Sequence, residues 1–140
     1  MVRVMASGVF DIIHTGHISY LEQARTFGDE LYVVVACDET VKKKKREPIT
    51  PEGMRVKIVS SLKPVDKAIL GKNGNMFDII GEIRPDIIVL GYDQKFDEED
   101  LENELKKKGF DIKVERASQS SEDLEKTTKI IEKIRARDDL

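Results

Sequence analysis

The chain has 140 residues, with 24 Lys and Arg against 27 Asp and Glu, a net charge of −3, 39% apolar residues, 9 glycines and 4 prolines. That length suits one domain, residues 1–140, large enough to stand without disulfide or metal staples, and the composition excludes disordered and fibrous chains. The acidic balance argues against nucleic-acid binding driven by bulk charge; the absence of any apolar run near the roughly 20 residues of a membrane span, the short, quickly broken apolar start and the lone Cys37 point to a reducing cytoplasm.

In chain order, the expected strands are Val2–Ala6, Leu31–Cys37, Asp66–Leu70, Asp86–Gly91 and Phe110–Arg116. The second and fourth are nearly continuous apolar runs, as parallel strands covered on both faces require. The fifth alternates Phe110, Ile112 and Val114 with charges, so one of its faces is wet. Helical segments separate them. Gly16–Phe27 carries Leu21 and Ala24 on one stripe, with Gly28 placed to stop it. Thr50-Pro51 reads as an N-cap followed by proline at the first helical position, and Met54, Ile58 and Leu62 form an apolar stripe. Asn75 caps a helix ending before Pro85. Asp97 caps an acidic first turn, with Lys106-Lys107-Lys108 closing the last turn before Gly109. Leu124, Ile131 and Ile134 mark a final helix. Strands alternating with helices imply an α/β fold, a doubly wound, Rossmann-like, five-stranded and mainly parallel sheet with helices on both faces. Ligands bind such sheets beyond the carboxyl ends of the strands.

The most informative stretch follows the first strand: Gly8-Val9-Phe10-Asp11-Ile12-Ile13-His14-Thr15-Gly16-His17. Its two histidines, the only two in the chain, bracket a glycine where a loop enters a helix. A helix start offers backbone N–H groups and a positive dipole end, Gly16 removes the Cβ that would keep a phosphate away, and two imidazoles can donate to phosphoryl oxygens. A zinc pair would need further ligands, and no Cys/His cluster supplies them. The run Lys42-Lys43-Lys44-Lys45-Arg46 follows the second strand, on the same rim. It is either a solvated basic loop or a local counter-charge for a triphosphate, which carries about four negative charges.

Gly8-Val9-Phe10-Asp11-Ile12-Ile13-His14-Thr15-Gly16-His17 resembles the GxFDxxHxGH signature of the small nucleotidyltransferases of the cytidylyltransferase-like superfamily. Its members transfer a nucleoside monophosphate from an NTP to a phosphate acceptor and release pyrophosphate. The resemblance implies that His14 and His17 contact the NTP phosphates and stabilise the pentavalent transition state. It places Val9, Phe10, Thr15 and Gly16 in the ATP-binding loop, Val9 standing where many members have threonine. It also implies a phosphate-contacting lysine within Lys42 to Lys45, of which Lys44 is chosen, and brings Arg55 to the β- and γ-phosphates. Asp93, in Gly91-Tyr92-Asp93-Gln94 after the fourth strand, would meet the nucleotide. Lys126-Thr127-Thr128-Lys129-Ile130 is similar to the end of the family's ISTTKI motif, which would put Thr127 and Thr128 on the phosphates or leave them as helix caps. Arg116 matches the motif's leading arginine, although Ala117–Glu125 is longer and more acidic than the usual connection.

Three further stretches are similar to archaeal-type FAD synthases: Asp38-Glu39-Thr40-Val41-Lys42-Lys43, Leu62 to Gly71, and Arg84 to Gly91. That resemblance implies adenylylation of FMN by ATP with a divalent cation, Mg²⁺ being the expected one, in a homodimer whose partners are small molecules, not nucleic acid or membrane. Glycerol-3-phosphate cytidylyltransferase and a sugar-phosphate adenylyltransferase remain open alternatives. So does a nucleotide-binding sensor without turnover. The chain has no Trp, three Tyr and five Phe, and so shows no obvious ring sandwich for a flavin.

Overall fold

The computed structural model describes residues 1–43, 47–119 and 126–139. Its elements are β1 (Arg3–Gly8), α1 (Thr15–Arg25), β2 (Glu30–Val35), α2 (Asp38–Lys42), α3 (Glu52–Ser60), β3 (Lys67–Leu70), α4 (Met76–Ile83), β4 (Ile87–Leu90), α5 (Glu98–Lys107), β5 (Lys113–Arg116) and α6 (Thr127–Arg135). The five strands form one sheet in the order β3-β2-β1-β4-β5, and every pairing is parallel. The direction of winding reverses between β1 and β4, which opens a crevice at their carboxyl ends.

Alternation along the strands sorts the core into two layers. Val4 and Ala6 of β1, Leu31, Val33 and Val35 of β2 and Val89 of β4 pack with Leu21 and Ala24 of α1 and Val59 of α3. Met5, Val34, Ile88, Leu90 and Val114 face the other way, onto Ile79, Ile80 and Ile83 of α4 and Leu101 and Leu105 of α5. The sheet is therefore covered on both faces, as its apolar central strands require.

The caps at Asn75 and Asp97 form as read: their side chains accept from the Phe77 and Asp100 amides. Gly109 takes φ 88, the left-handed conformation that ends a helix. Other local readings change. Pro51, not Thr50, occupies the N-cap of α3, because the Thr50 amide and hydroxyl are both bound by Asp11. The buried face of α3 is Arg55 and Val59, with Val56 and Leu62 packed alongside, whereas Met54 is 51% exposed. A four-residue spacing alone did not identify the face that tertiary contact selects. Gly28 is required by close approach instead of a left-handed stop: a Cβ there would lie 2.7 Å from both the Val2 carbonyl oxygen and Val4 Cγ2. Residues Asp38–Lys42 form a short helix, so that Lys42, the first of the basic run, lies in a helix. In α6 Ile134 is 50% exposed and only Thr127 is buried, while Leu124 lies outside the described residues.

Candidate active site

The histidine loop leaves β1 at Gly8 and makes two left-handed residues, Phe10 at φ 57 and Ile12 at φ 52. For an L side chain this costs about 1–2 kcal/mol per residue, and a β-branched residue seldom accepts it. Gly8 explains part of the shape. A Cβ on it would come 3.1 Å from two carbons of the Phe10 ring, which is buried directly above. That ring in turn lies 5.4 Å from the His17 ring, tilted by 54°. Phe10 thus supports a histidine from below, and its own side chain is closed to ligand.

His14 is the N-cap of α1, and the two histidines form a reciprocal capping box. The Gly16 amide donates to His14 Nδ1 at 3.1 Å, and the His14 amide donates to His17 Nδ1 at 3.2 Å. Each Nδ1 is an acceptor, so in the neutral form each imidazole carries its proton on Nε2. The rings stack 3.8 Å apart. Burial, followed by the neighbouring His14, holds His17 down to about 3, against a smaller opposing pull from Asp11. His17 is therefore a neutral N–H donor at physiological pH. Gly16 spends its amide on His14; the exposed Thr15 stands beside it at the first position of the helix. Tyr20, one turn further on, ties α1 to the switch point: its hydroxyl donates to the Val89 carbonyl at 2.6 Å and accepts from the Ser7 amide at 3.2 Å. Burial pushes that hydroxyl well above the ordinary tyrosine range.

Beneath the loop lies a polar knot that motif reading did not find. Asp11 is 1% exposed. Its carboxylate accepts from the Ile49 amide at 2.8 Å, the Thr50 amide at 2.9 Å and the Thr50 hydroxyl at 2.7 Å. Its carbonyl accepts from the Thr127 hydroxyl at 2.5 Å, which brings the start of α6 to the histidine loop. Arg55 has no exposed surface. Its Nε donates to the Thr50 carbonyl at 3.0 Å, one terminal nitrogen donates to the Val9 and Ala36 carbonyls at 2.8 and 2.7 Å, and the other meets Asp38 at 2.6 Å. The arginine expected at the phosphates is instead the internal tie between the histidine loop, the end of β2, α2 and α3. A buried guanidinium with this set of acceptors is satisfied by protein alone. Arg55 as a helical surface charge would have been indistinguishable in the sequence, since burial depends on how α3 packs.

Across the crevice, the loop after β4 is held by two side chains. Gln94 accepts from the Gly91 amide at 3.0 Å and donates to the Ser7 carbonyl at 3.1 Å, joining the ends of β4 and β1. Arg116 donates to the Gly91 and Gln94 carbonyls, both at 2.9 Å, and to the carbonyl of Phe96, and its Nε pairs with Glu98 at 2.6 Å. Asp93 is exposed on this loop. Tyr92 carries a buried hydroxyl with no hydrogen-bond partner among the described residues, and the Lys126 ammonium sits 5.6 Å from its ring centre. Thr127 faces inward to Asp11, while Thr128 is exposed at the same helix start.

The structure brings His14, Thr15, Gly16 and His17 together on one turn, ties the start of α6 to the same loop through the Thr127–Asp11 contact, and leaves Asp93 on the loop of the neighbouring strand. Lys44 lies outside the described residues. Among the described residues no three His, Cys, Asp or Glu side chains gather into a metal cage, and no helix is long and apolar enough to cross a membrane.

The cytidylyltransferase-like family model matches residues 5–133. The chain is 55% identical to a FAD synthase of Aciduliprofundum boonei, covering 100% of this chain and 95% of that protein, and 54% identical to a FAD synthase of Archaeoglobus profundus, covering 96% and 86%. Among solved structures, one described as the lipopolysaccharide core biosynthesis protein from Thermoplasma volcanium superposes with a TM-score of 0.85 at 50% identity, over 86% of this chain and 99% of that one. A protein of unknown function from Archaeoglobus fulgidus shares the fold at 15% identity and a TM-score of 0.66. With its parallel sheet, its switch-point crevice and its paired histidines at a helix start, the chain belongs to the cytidylyltransferase-like family.

Proposed function

We propose that this chain transfers AMP from ATP to the phosphate of FMN, giving FAD and pyrophosphate. The observation that carries the chemistry is the pair of imidazoles whose Nδ1 atoms are both tied to backbone amides. In the neutral form each ring then carries its proton on Nε2 at the amino end of a helix, a chemistry suited to charge that builds on phosphoryl oxygens. The substrates are supported by FAD synthases more than 50% identical over most of both chains.

In this reaction an oxygen of the FMN phosphate forms a bond to the α-phosphorus of ATP as the bond to the bridging oxygen of the β-phosphate breaks. The electron pair leaves with pyrophosphate. A phosphate monoester is already ionised near neutral pH, so no protein nucleophile or base is required, and the protein's part is positioning and charge stabilisation. His14 and His17 donate to the α- and β-phosphate region, while Thr15, Gly16 and Thr128 line the start of their helices. Val9 and Phe10 contribute backbone, Asp93 faces the nucleoside, and Lys44 is the lysine proposed to offset the leaving pyrophosphate. Arg55 acts from beneath by holding Val9 and Thr50. The described residues offer no protein cage for a divalent cation; Mg²⁺ is expected to arrive chelated by the triphosphate, as that ion commonly does. The protein is proposed to work in the cytoplasm as a homodimer, which sedimentation of the untagged chain at assay concentration tests.

A sugar-phosphate acceptor is the second reading, kept open because the Thermoplasma volcanium structure is described as a lipopolysaccharide core biosynthesis protein. One assay separates the two: pyrophosphate release from ATP or CTP with FMN, glycerol-3-phosphate or a hexose or heptose phosphate. ATP with FMN alone is expected to turn over, with FAD identified by chromatography; turnover only with a sugar phosphate would replace the acceptor. Alanine at His14 or His17 is expected to lower turnover roughly 100-fold or more, the loss typical of one transition-state donor. Wild-type turnover in both would remove the proposed role of the imidazoles.

A further inference from the structure

The histidine loop contains a buried aspartate that ties it to two other parts of the fold, the segment entering α3 through its carboxylate and α6 through its carbonyl. Asp11 sits between the two left-handed residues, Phe10 and Ile12. Its carboxylate holds the Ile49 and Thr50 amides and the Thr50 hydroxyl from the segment entering α3. Its carbonyl receives the Thr127 hydroxyl from α6. Thr50 is gripped from the other side as well, its carbonyl accepting from Arg55, which also holds Val9 within the same loop. A backbone with left-handed side-chain-bearing residues persists only where its surroundings over-determine it. Here the surroundings are this knot.

We propose that Asp11 is a positioning residue for nucleotidyl transfer, fixing the histidine loop in the shape that keeps both imidazole Nδ1 atoms on backbone amides and so keeps the proton of each neutral ring on Nε2. The link is short in sequence. Three residues after Asp11, the His14 amide must meet His17 Nδ1 while His14 Nδ1 meets the Gly16 amide. If the Ile12 and Phe10 torsions relax, the His14 backbone turns and the capping box opens. An open box releases the tautomer, so an imidazole can place its proton on Nδ1 and present a lone pair, in place of a donor, to a phosphoryl oxygen. Asp11 thereby influences chemistry it does not touch.

Asp11→Asn is the direct test. An amide side chain keeps the shape but has one acceptor oxygen where three donors, bound by two oxygens, now converge. Two quantities are read on the untagged protein, whose only two histidines give a simple spectrum. Long-range ¹⁵N–¹H correlation of the imidazoles is expected to show both rings as Nε2–H in the wild type and tautomer exchange in at least one ring of the variant. Turnover is expected to fall roughly 100-fold, as on losing one transition-state donor, with KM for ATP changing by less than about threefold because ground-state contacts are kept. A merely structural aspartate would lower the melting temperature while leaving the tautomers and the turnover of folded protein intact; that result would overturn the proposal. Should Asp11→Asn not fold, Thr50→Val removes one of the three donors and is expected to lower turnover about fivefold with KM held, and wild-type turnover there would overturn it equally. The kinetic half rests on the proposed adenylyl transfer. The tautomer half needs no substrate, so an error in the acceptor leaves it decisive.

Discussion

Acidification is the perturbation whose effect follows most directly from the geometry. His17 is held at about 3 in the fold, against an ordinary 6.5. A depressed imidazole means that the unfolded chain takes a proton that the folded chain refuses. Stability is therefore unaffected by this group above pH 6.5, and falls as pH drops from 6.5 toward 3. Each pH unit in that window corresponds to about 1.36 kcal/mol. Between pH 8 and pH 5 the contribution of His17 is about 2 kcal/mol, since the proton is taken up only below 6.5. Carboxylates also titrate near the acid end, so the measurement is a difference of differences. Urea unfolding of the wild type and of His17→Asn is followed at pH 8 and pH 5. The asparagine oxygen can still accept from the His14 amide, while the titration is gone. The wild type is expected to lose about 2 kcal/mol more than the variant over that interval. Parallel losses would refute the claim that His17 is buried as a neutral donor. Its activity counterpart is a kcat/KM profile in which no limb between pH 8 and pH 5 belongs to His17.

Three other outcomes test separate parts of the structure. Arg55→Lys replaces a fork spanning Thr50, Val9, Ala36 and Asp38 with a single ammonium; it is expected to destabilise the fold by about 3 kcal/mol in denaturant titration, as breaking a buried charged network does. An unchanged stability with a raised KM for ATP would return Arg55 to the phosphates. Gly28→Ala drives a methyl group to 2.7 Å from the Val2 carbonyl oxygen and Val4 Cγ2, and is expected to cost about 1–3 kcal/mol by thermal melting, within the range for overpacking. Tyr92→Phe removes a buried hydroxyl that has no partner among the described residues. It is expected to raise stability by about 1 kcal/mol, the reverse of the usual loss of a buried polar group; a lower melting temperature would mean that the hydroxyl is satisfied in solution.

Much of the fold could be read along the chain because local rules set it. The five strands overlap the five segments read for them, the caps at Asn75 and Asp97 form from side chains two or three residues from their targets, and Gly109 takes its left-handed turn. The paired histidines also announce themselves locally, since one helical turn is enough to make the capping box. Where local spacing admitted two faces, as at Met54 against Arg55 and Val59, only packing on the sheet decided.

The sequence by itself determined the alternation of elements, the carboxyl-end location of the histidine loop and its pairing of two histidines at a helix start, because each depends on residues within a few positions of one another. Tertiary structure alone decided that Arg55 is internal, that Thr50 serves Asp11 instead of capping α3, and that Thr127 meets Asp11 across 116 positions. A buried polar group must find its partner wherever the chain happens to pass, and separation along the sequence carries no trace of that meeting.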